Sequence, residues 1–278
     1  MGPENSGRVF STQMRAVLRH VYTNMPWTLL PRYMDLILKG MINIEIGFSA
    51  EELEKEPGRH FEATIGKLRD SGCRITVHGP FWDLCPGSID SAVREVARSR
   101  LRRLFEVLEH VHPVQIVCHT GFDPRHHRGH RTEWVENSVA TWEVFVERAR
   151  KLGAPLLLEN VWEEDPELHL KLFEKIDSPW FGFCLDTGHQ NAFSKTTLAS
   201  WLEAVSAHLR EIHLHDNDGS YDYHLPIGDG NIDFDYLFRF LGANGLRPLL
   251  TMEPHKEEHL YDNLHALARM DSFSKFLA

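Results

Sequence analysis

The sequence of 278 residues contains no segment approaching the roughly eighteen uninterrupted apolar residues of a membrane span. Its first twenty residues, MGPENSGRVFSTQMRAVLRH, hold no apolar run of signal-peptide length, so a cytoplasmic protein without a membrane partner is expected. Cysteine is scarce. Cys73, Cys85, Cys118 and Cys184 form no C-x-x-C pair, and three of them lie in or beside apolar runs, which reads as buried thiols rather than a disulfide framework. Basic residues are in deficit, 30 against 40 acidic ones, for a formal charge of -10. That weighs against a broad phosphate-backbone footprint and hence against nucleic acid as a partner, while a local basic patch stays open. Linkers, low-complexity tracts and long repeats are missing too, so residues 1–278 read as one domain.

What is present is an ordinary globular share of apolar residues, 42%, enough for a sizeable core, and 18 histidines that are unevenly spread. Short apolar or β-branched runs recur with helix-period segments between them. They are RVFST near residue 8, INIEIGF at 42, CRITVHGP at 73, VQIVCHTGF at 114, APLLLENV at 154, FGFCLDTGH at 181, REIHLHD at 210 and RPLLTMEP at 247. Two of the intervening segments are clearly amphipathic. Residues 90 to 111 place Val93, Ala97, Leu101, Leu104, Phe105 and Leu108 on one stripe, and TEWVENSVATWEVFVERARKLG closes on Gly153, where a helix end favours a left-handed residue. Eight continuous apolar strands joined by crossover helices predict a parallel sheet closed into a (β/α)8 TIM barrel.

Barrel chemistry sits at the C-terminal ends of the strands. From the third run onward those ends carry His78, His119, Glu159, Asp186 with His189, His213, and Glu253. A single polar strand end is commonly a hydrogen-bonded loop anchor. Six consecutive ones converge on one axis, and carboxylates so gathered repel one another unless a cation lies between them. In DTGH the glycine permits a tight turn that brings Asp186 and His189 into one site. In DYH, Asp222 and His224 alternate by two and face one side of an extended loop. Imidazole with carboxylate suits Zn2+ or Mn2+. Asp216, Asp218 and Asp229 read as loop residues, and His215, on the same side of the strand as His213, is left undecided.

Taken together, LLLENVWEED, GFCLDTGH, IHLHDNDG…DYH…IGDGNID and TMEP resemble the corresponding segments of the xylose isomerase-like TIM barrels. That superfamily holds the sugar (phosphate) isomerases and epimerases together with the endonuclease IV-type apurinic endonucleases (AP endonuclease family 2), and the resemblance spans about residues 40 to 256. By resemblance to the isomerases, one metal is held by Glu159, Asp186, His213 and Glu253. The two glutamates then relay a proton, and His189 contacts substrate. By resemblance to endonuclease IV, nine ligands hold three zinc ions, and the matching residues are His78, His119, Glu159, Asp186, His189, His213, Asp222, His224 and Glu253. This chain departs from both branches. HGPFWDLCPGS stands where the endonucleases have a polar, tyrosine-bearing segment. His215 and Asp218 stand where they usually have asparagine and lysine, and the loop to Asp222 is shorter. The arginine that often follows the strand-seven histidine in the epimerases is absent.

Two chemistries follow. The first is a divalent-metal-dependent isomerase or epimerase of a small sugar or sugar phosphate, with Glu159 and Glu253 as proton-transfer groups and one to three metal ions per chain. Phe81, Trp82 and Trp162 lie just past strand ends, where they can pack on a sugar ring or simply on the rim. Arg125 and Arg128, in the basic loop RHHRGHR at 125 to 131, can hold one phosphate of a small substrate. The alternative is a multi-zinc phosphodiesterase, which the extra ligands His78, His119, Asp222 and His224 would serve, with Arg98, Arg100, Arg102 and Arg103 as further phosphate contacts if the substrate were DNA. That arginine run also reads as cover for the outer face of a barrel helix. A barrel that only binds a metal or sugar is the non-enzymatic reading. The acidic balance and the missing DNA-reading loop favour the sugar.

Overall fold

The computed structural model describes residues 10–55 and 58–278, the side chains of residues 58–60 excepted. Eight parallel strands close into a barrel in chain order. They are β1 (Tyr22–Pro26), β2 (Asn43–Gly47), β3 (Ile75–His78), β4 (Ile116–His119), β5 (Leu156–Glu159), β6 (Phe181–Asp186), β7 (Leu209–Leu214) and β8 (Leu249–Met252). The (β/α)8 expectation holds, and seven of the eight strand runs contain a strand. The exception is the first. Of RVFST, Arg8 and Val9 lie outside the described residues. Ser11 caps the helix Thr12–Leu18 by accepting from Met14 N at 3.2 Å, and Phe10 is buried against Tyr261 at 5.3 Å between ring centres. The serine starts a helix and the phenylalanine packs outside the sheet. Barrel closure is made instead by VYTNMP, which pairs Tyr22 with Asn43 on β2 and with Thr251 on β8.

The long helices form as their patterns require. Asp90 caps Ser91–Val111 by accepting from Ala92 N at 2.7 Å, and Ala97, Leu101, Leu104, Phe105 and Leu108 are buried. Val93, one turn earlier on the same stripe, is 42% exposed, because the stripe runs on past the surface it packs against. Helix Arg131–Leu152 ends at Gly153 with φ 71°. The four arginines of residues 98–103 lie along the first of these helices; three tie it to its neighbours, and Arg102 pairs within the helix. Arg98 Nε donates to Thr141 Oγ1 at 2.9 Å, Arg103 Nε donates to Leu53 O at 2.7 Å, and Arg100 and Arg102 pair with Glu54 and Glu95. All four thiols are free, with Cys73, Cys118 and Cys184 buried and Cys85 partly so. Among the described residues no helix is long and apolar enough to cross a membrane.

The large apolar core lies between the sheet and the helices. Inside the barrel only Val117, Leu157 and Cys184 form an apolar cluster, and the remaining inward positions include buried Glu45, Thr76, Glu211 and Thr251. Each acid there is bonded: Asn24 Nδ2 donates to Glu45 at 2.8 Å, while Gln115 Nε2 and Thr251 Oγ1 donate to Glu211 at 2.6 and 2.5 Å. Stability therefore rests on the outer shell, which leaves the barrel interior free for polar groups.

His169, on helix Glu167–Lys175, is fully buried, its ring 4.9 Å from that of Phe183 and 5.8 Å from that of Trp201. Burial pushes its imidazole down to about 3. The unfolded chain therefore binds a proton that the native state refuses between about pH 6.5 and 3, and the stabilisation present above pH 6.5 is lost as pH falls through that window. Denaturant unfolding between pH 7 and 5 should show His169→Leu losing stability less steeply than wild type, by up to about 1.4 kcal/mol per pH unit. Parallel curves would show that His169 is not held neutral.

Candidate metal centre at the barrel mouth

The site is assembled by local devices at the strand ends. Asp186 ends β6 and caps the helix Thr187–Phe193. Its Oδ1 accepts from His189 N at 2.6 Å, which sets His189 one turn into the helix and facing the same centre. Asn160, just past β5, locks that strand to β6: its Oδ1 accepts from Asp186 N at 2.9 Å and its Nδ2 donates to Asp186 O at 3.0 Å. Its own carbonyl lies 3.0 Å from His189 Nδ1. Thr187 Oγ1 reaches across to the carbonyls of His213 and His215 at 2.9 and 3.2 Å. Gly188 serves differently from the tight turn expected of DTGH. It is helical, and a Cβ placed on it would lie 1.9 Å from Cε1 of His215, so its bareness makes room for that ring.

The loop after β7 is organised by Asp216, which is wholly buried. One carboxyl oxygen accepts from Asn217 N and Ile232 N at 2.9 and 3.2 Å, and the other from Gly228 N at 2.9 Å. Backbone bonds between Asp216 and Leu225 close the base of the loop. This holds Asp222 and His224 over the mouth. His224 adopts φ 47°, a left-handed conformation that costs a non-glycine residue and persists only where its surroundings impose it.

The nine residues singled out from the sequence come together. Glu159 is the hub: its Oε2 lies 3.0 Å from His78 Nε2, 3.4 Å from His119 Nε2 and 3.6 Å from His213 Nδ1, and its Oε1 lies 3.1 Å from His189 Nδ1. Glu253 Oε1 is 3.1 Å from His213 Nδ1 and its Oε2 is 3.5 Å from His224 Nδ1. Asp222 Oδ2 bridges His189 Nε2 at 3.3 Å and His224 Nε2 at 3.1 Å. His215 joins them, with Nε2 3.0 Å from both oxygens of Asp186.

Electrostatics couple these groups. Burial works to raise the Glu159 carboxyl, but the charges of His119 and His213 overrule it and hold it well below the usual carboxylate range. Glu253 and Asp222 are lowered in the same way, against burial, by His213 and by His189 respectively. Burial likewise opposes charge on His78, yet Glu159 raises it to about 9; His189 is raised well above the ordinary imidazole range by Asp186, Asp222 and Glu159, and His213 by Cys184 first and then by Glu45, Glu253 and Glu159. His119 goes the other way, because burial outweighs Glu159.

Residues that pattern reading passed over stand behind this set. His213 Nε2 faces Glu45 at 3.4 Å and Glu211 at 3.9 Å, and burial beside Glu45 pushes Glu211 up to about 7. A glutamate in the middle of INIEIGF, and another two residues before His213 on the same face of β7, were the available signals. Glu163, buried and raised by burial to about 7, accepts from Thr120 Oγ1 and from Val161 N and so ties the loop after β5 to that after β4. His255 stacks on His224 with ring centres 3.7 Å apart.

The rim residues are placed unevenly. Trp82 is 77% exposed, whereas Phe81 stacks on His119 at 4.5 Å and Trp162 packs on Phe193 at 4.3 Å beneath the Arg125 guanidinium. Arg125 is paired with Asp123 and Arg128 with Glu164, at 2.7 and 2.5 Å.

The donor set fits divalent cations. Among the described residues, five triads of ligand atoms lie within 4.8 Å of one another: His78–His119–Glu159, Glu159–Asp186–His189, Glu159–Cys184–His213, Glu45–His213–Glu253 and His215–His224–Glu253. Buried His213 Nδ1 and Asp222 Oδ1 make no hydrogen bond, as expected of atoms oriented toward ions.

An uncharacterized protein of Methanocaldococcus jannaschii, MJ1311, is 31% identical over 222 residues, 75% of each chain. A solved structure described as a D-tagatose 3-epimerase-like protein superposes with a TM-score of 0.79 at 23% identity, covering 93% of this chain and all of that one, a likeness of fold. The TTHB071 protein of Thermus thermophilus, solved after soaking with ZnCl2, gives 0.73 at 26% identity over 89% of this chain and 97% of that one. Residues 44–271 match the family described as Xylose isomerase-like TIM barrel, and the chain belongs to that family.

Proposed function

We propose that this protein is a divalent-metal-dependent isomerase or epimerase acting on a sugar or sugar phosphate. The observation that carries the reading is the convergence of Glu159 from β5 and Glu253 from beyond β8 on one imidazole nitrogen, His213 Nδ1, at 3.6 and 3.1 Å. Inverting or moving a stereocentre next to a carbonyl needs one group to take a proton and a second to return it from another direction. Two glutamates from separate walls of the barrel supply that pair, one as the carboxylate that takes the proton and the other, in its protonated form, as the acid that returns one from its own side. Bound at Glu159, Asp186, His213 and Glu253, a divalent ion would polarise the substrate carbonyl and acidify the adjacent C–H. His189 reaches the same centre and serves as a substrate contact, and exposed Trp82 offers a face for a sugar ring. Solved structures described as a D-tagatose 3-epimerase-like protein, a D-psicose 3-epimerase and an L-ribulose 3-epimerase share the fold, which supports such chemistry in this scaffold.

A second reading, a multi-metal phosphodiesterase, is favoured by one observation: His78, His119, Asp222 and His224 add donors beyond those one ion uses. Against it, the arginines named as DNA-phosphate contacts are already engaged, Arg98, Arg100 and Arg103 with neighbouring elements and Arg102 with Glu95 of its own helix.

Incubated in D2O with Mn2+ or Zn2+ and a panel of ketohexoses, ketopentoses and their phosphates, the protein should exchange a substrate C–H for deuterium and form the epimer or isomer. Cleavage of abasic-site DNA or of bis(p-nitrophenyl) phosphate without such exchange would replace this reading with the second. Glu253→Gln should lower turnover by about 10²–10⁴-fold with KM little changed; a change confined to KM would remove Glu253 from the proton transfer. Metal analysis by mass spectrometry should show Glu159→Gln binding its ions at least about tenfold more weakly than wild type, since Glu159 enters more of the candidate triads than any other residue. Wild-type metal content in that variant would refute the hub assignment.

A further inference from the structure

We infer that His215 is a metal ligand in its own right, binding through Nε2 the ion shared by Asp186 and Glu253, with a second ion held alongside by His224. This rests on the metal-dependent reading above but not on its substrate. His215 lies outside the ligand set that resemblance suggests, where the endonucleases usually carry asparagine.

The geometry around the ring is that of a coordination shell. Nε2 lies 3.0 Å from Oδ1 and 3.0 Å from Oδ2 of Asp186, and 3.8 Å from Glu253 Oε2. A hydrogen bond directs one proton along one N···O line, whereas donors held at about 2.0–2.2 Å from a common Zn2+ stand roughly 3–3.5 Å from each other. Equal approach to both carboxylate oxygens fits the shared cation. The ring is fully buried, and its Nδ1, which makes no hydrogen bond, faces Asp222 Oδ1 at 3.6 Å. A ligating histidine commonly turns its other nitrogen toward a carboxylate of this kind.

The ring is also held in place from both sides. On one side it packs on Gly188, where even a methyl group would overlap it. On the other it stacks on His224 at 3.8 Å with planes 9° apart. Imidazole lone pairs lie in the ring plane, so within the His215–His224–Glu253 triad the two parallel rings serve neighbouring ions rather than one. They present their nitrogens side by side, at a spacing that matches the roughly 3.5–4 Å between ions of two-metal sites. His224 Nε2, 3.1 Å from Asp222 and thereby joined to His189, serves the second ion.

The test uses the full chain stripped of metal and reloaded with Zn2+ or Co2+ against a competing chelator. Wild type should bind at least two ions. His215→Asn should lose one ion per chain, or bind it at least about tenfold more weakly, and the visible absorption of its Co2+ form should change. Gly188→Ala, which removes no donor residue but displaces the His215 ring, should do the same. A wild-type metal content and Co2+ spectrum in His215→Asn would overturn the inference and leave the ring a hydrogen-bond donor to Asp186. Wild type that binds no metal would overturn the metal-dependent reading itself. Should His215→Asn fail to fold, proton NMR of the wild-type Co2+ protein decides: a hyperfine-shifted imidazole N–H from His215 supports the assignment, and its absence refutes it.

Discussion

Four carboxylates and six imidazoles are gathered, largely buried, at the mouth of the barrel, and the organisation of the strand ends and loops follows from keeping them there. Glu159, Asp186, Asp222 and Glu253 would repel one another if brought together alone, and His78, His119, His189, His213, His215 and His224 would each resist charge if buried alone. Interleaved, each type offsets the other. The same interleaving produces mixed nitrogen and oxygen donor sets suited to zinc or manganese.

The scaffold meets this constraint through caps and anchoring hydrogen bonds. Asp186 caps a helix with the oxygens that also face the centre, Asn160 and Thr187 fasten three neighbouring strand ends, and Asp216 folds the loop that carries Asp222 and His224. Below the centre, Glu45 and Glu211 face His213 from inside the barrel, each anchored by a neutral amide or hydroxyl donor. Such an outer shell orients a ligating imidazole and fixes which nitrogen is free. The polar barrel interior is tolerable because the packing that stabilises the protein lies in the layer between strands and helices.

This division explains which parts of the molecule are legible in the chain. Strands β2 to β8 fall in largely apolar runs because both faces of a parallel sheet are covered, and from β3 onward the polar residue at the run's end marks the mouth. The first strand escaped because Tyr22–Pro26 carries Asn24 inward to Glu45 and so breaks the apolar pattern, while RVFST mimics a strand next to a serine cap. The basic loop at 125–131 looked available for phosphate, yet its arginines meet acids, among them one distant in sequence, Glu164 for Arg128. Periodicity carries no information about such pairings.

The sequence by itself determined the fold class, the eightfold repeat and the nine polar residues that gather at the barrel mouth, because strand ends and alternation are local properties that repeat with the chain. Only the tertiary structure decided how those residues are shared: Glu159 as the common neighbour of four histidines, Gly188 as the vacancy that His215 fills, and His215 stacked on His224 rather than turned into the loop. Those outcomes depend on distances between segments tens to hundreds of residues apart, which are set when the barrel closes and not by any neighbour in the chain.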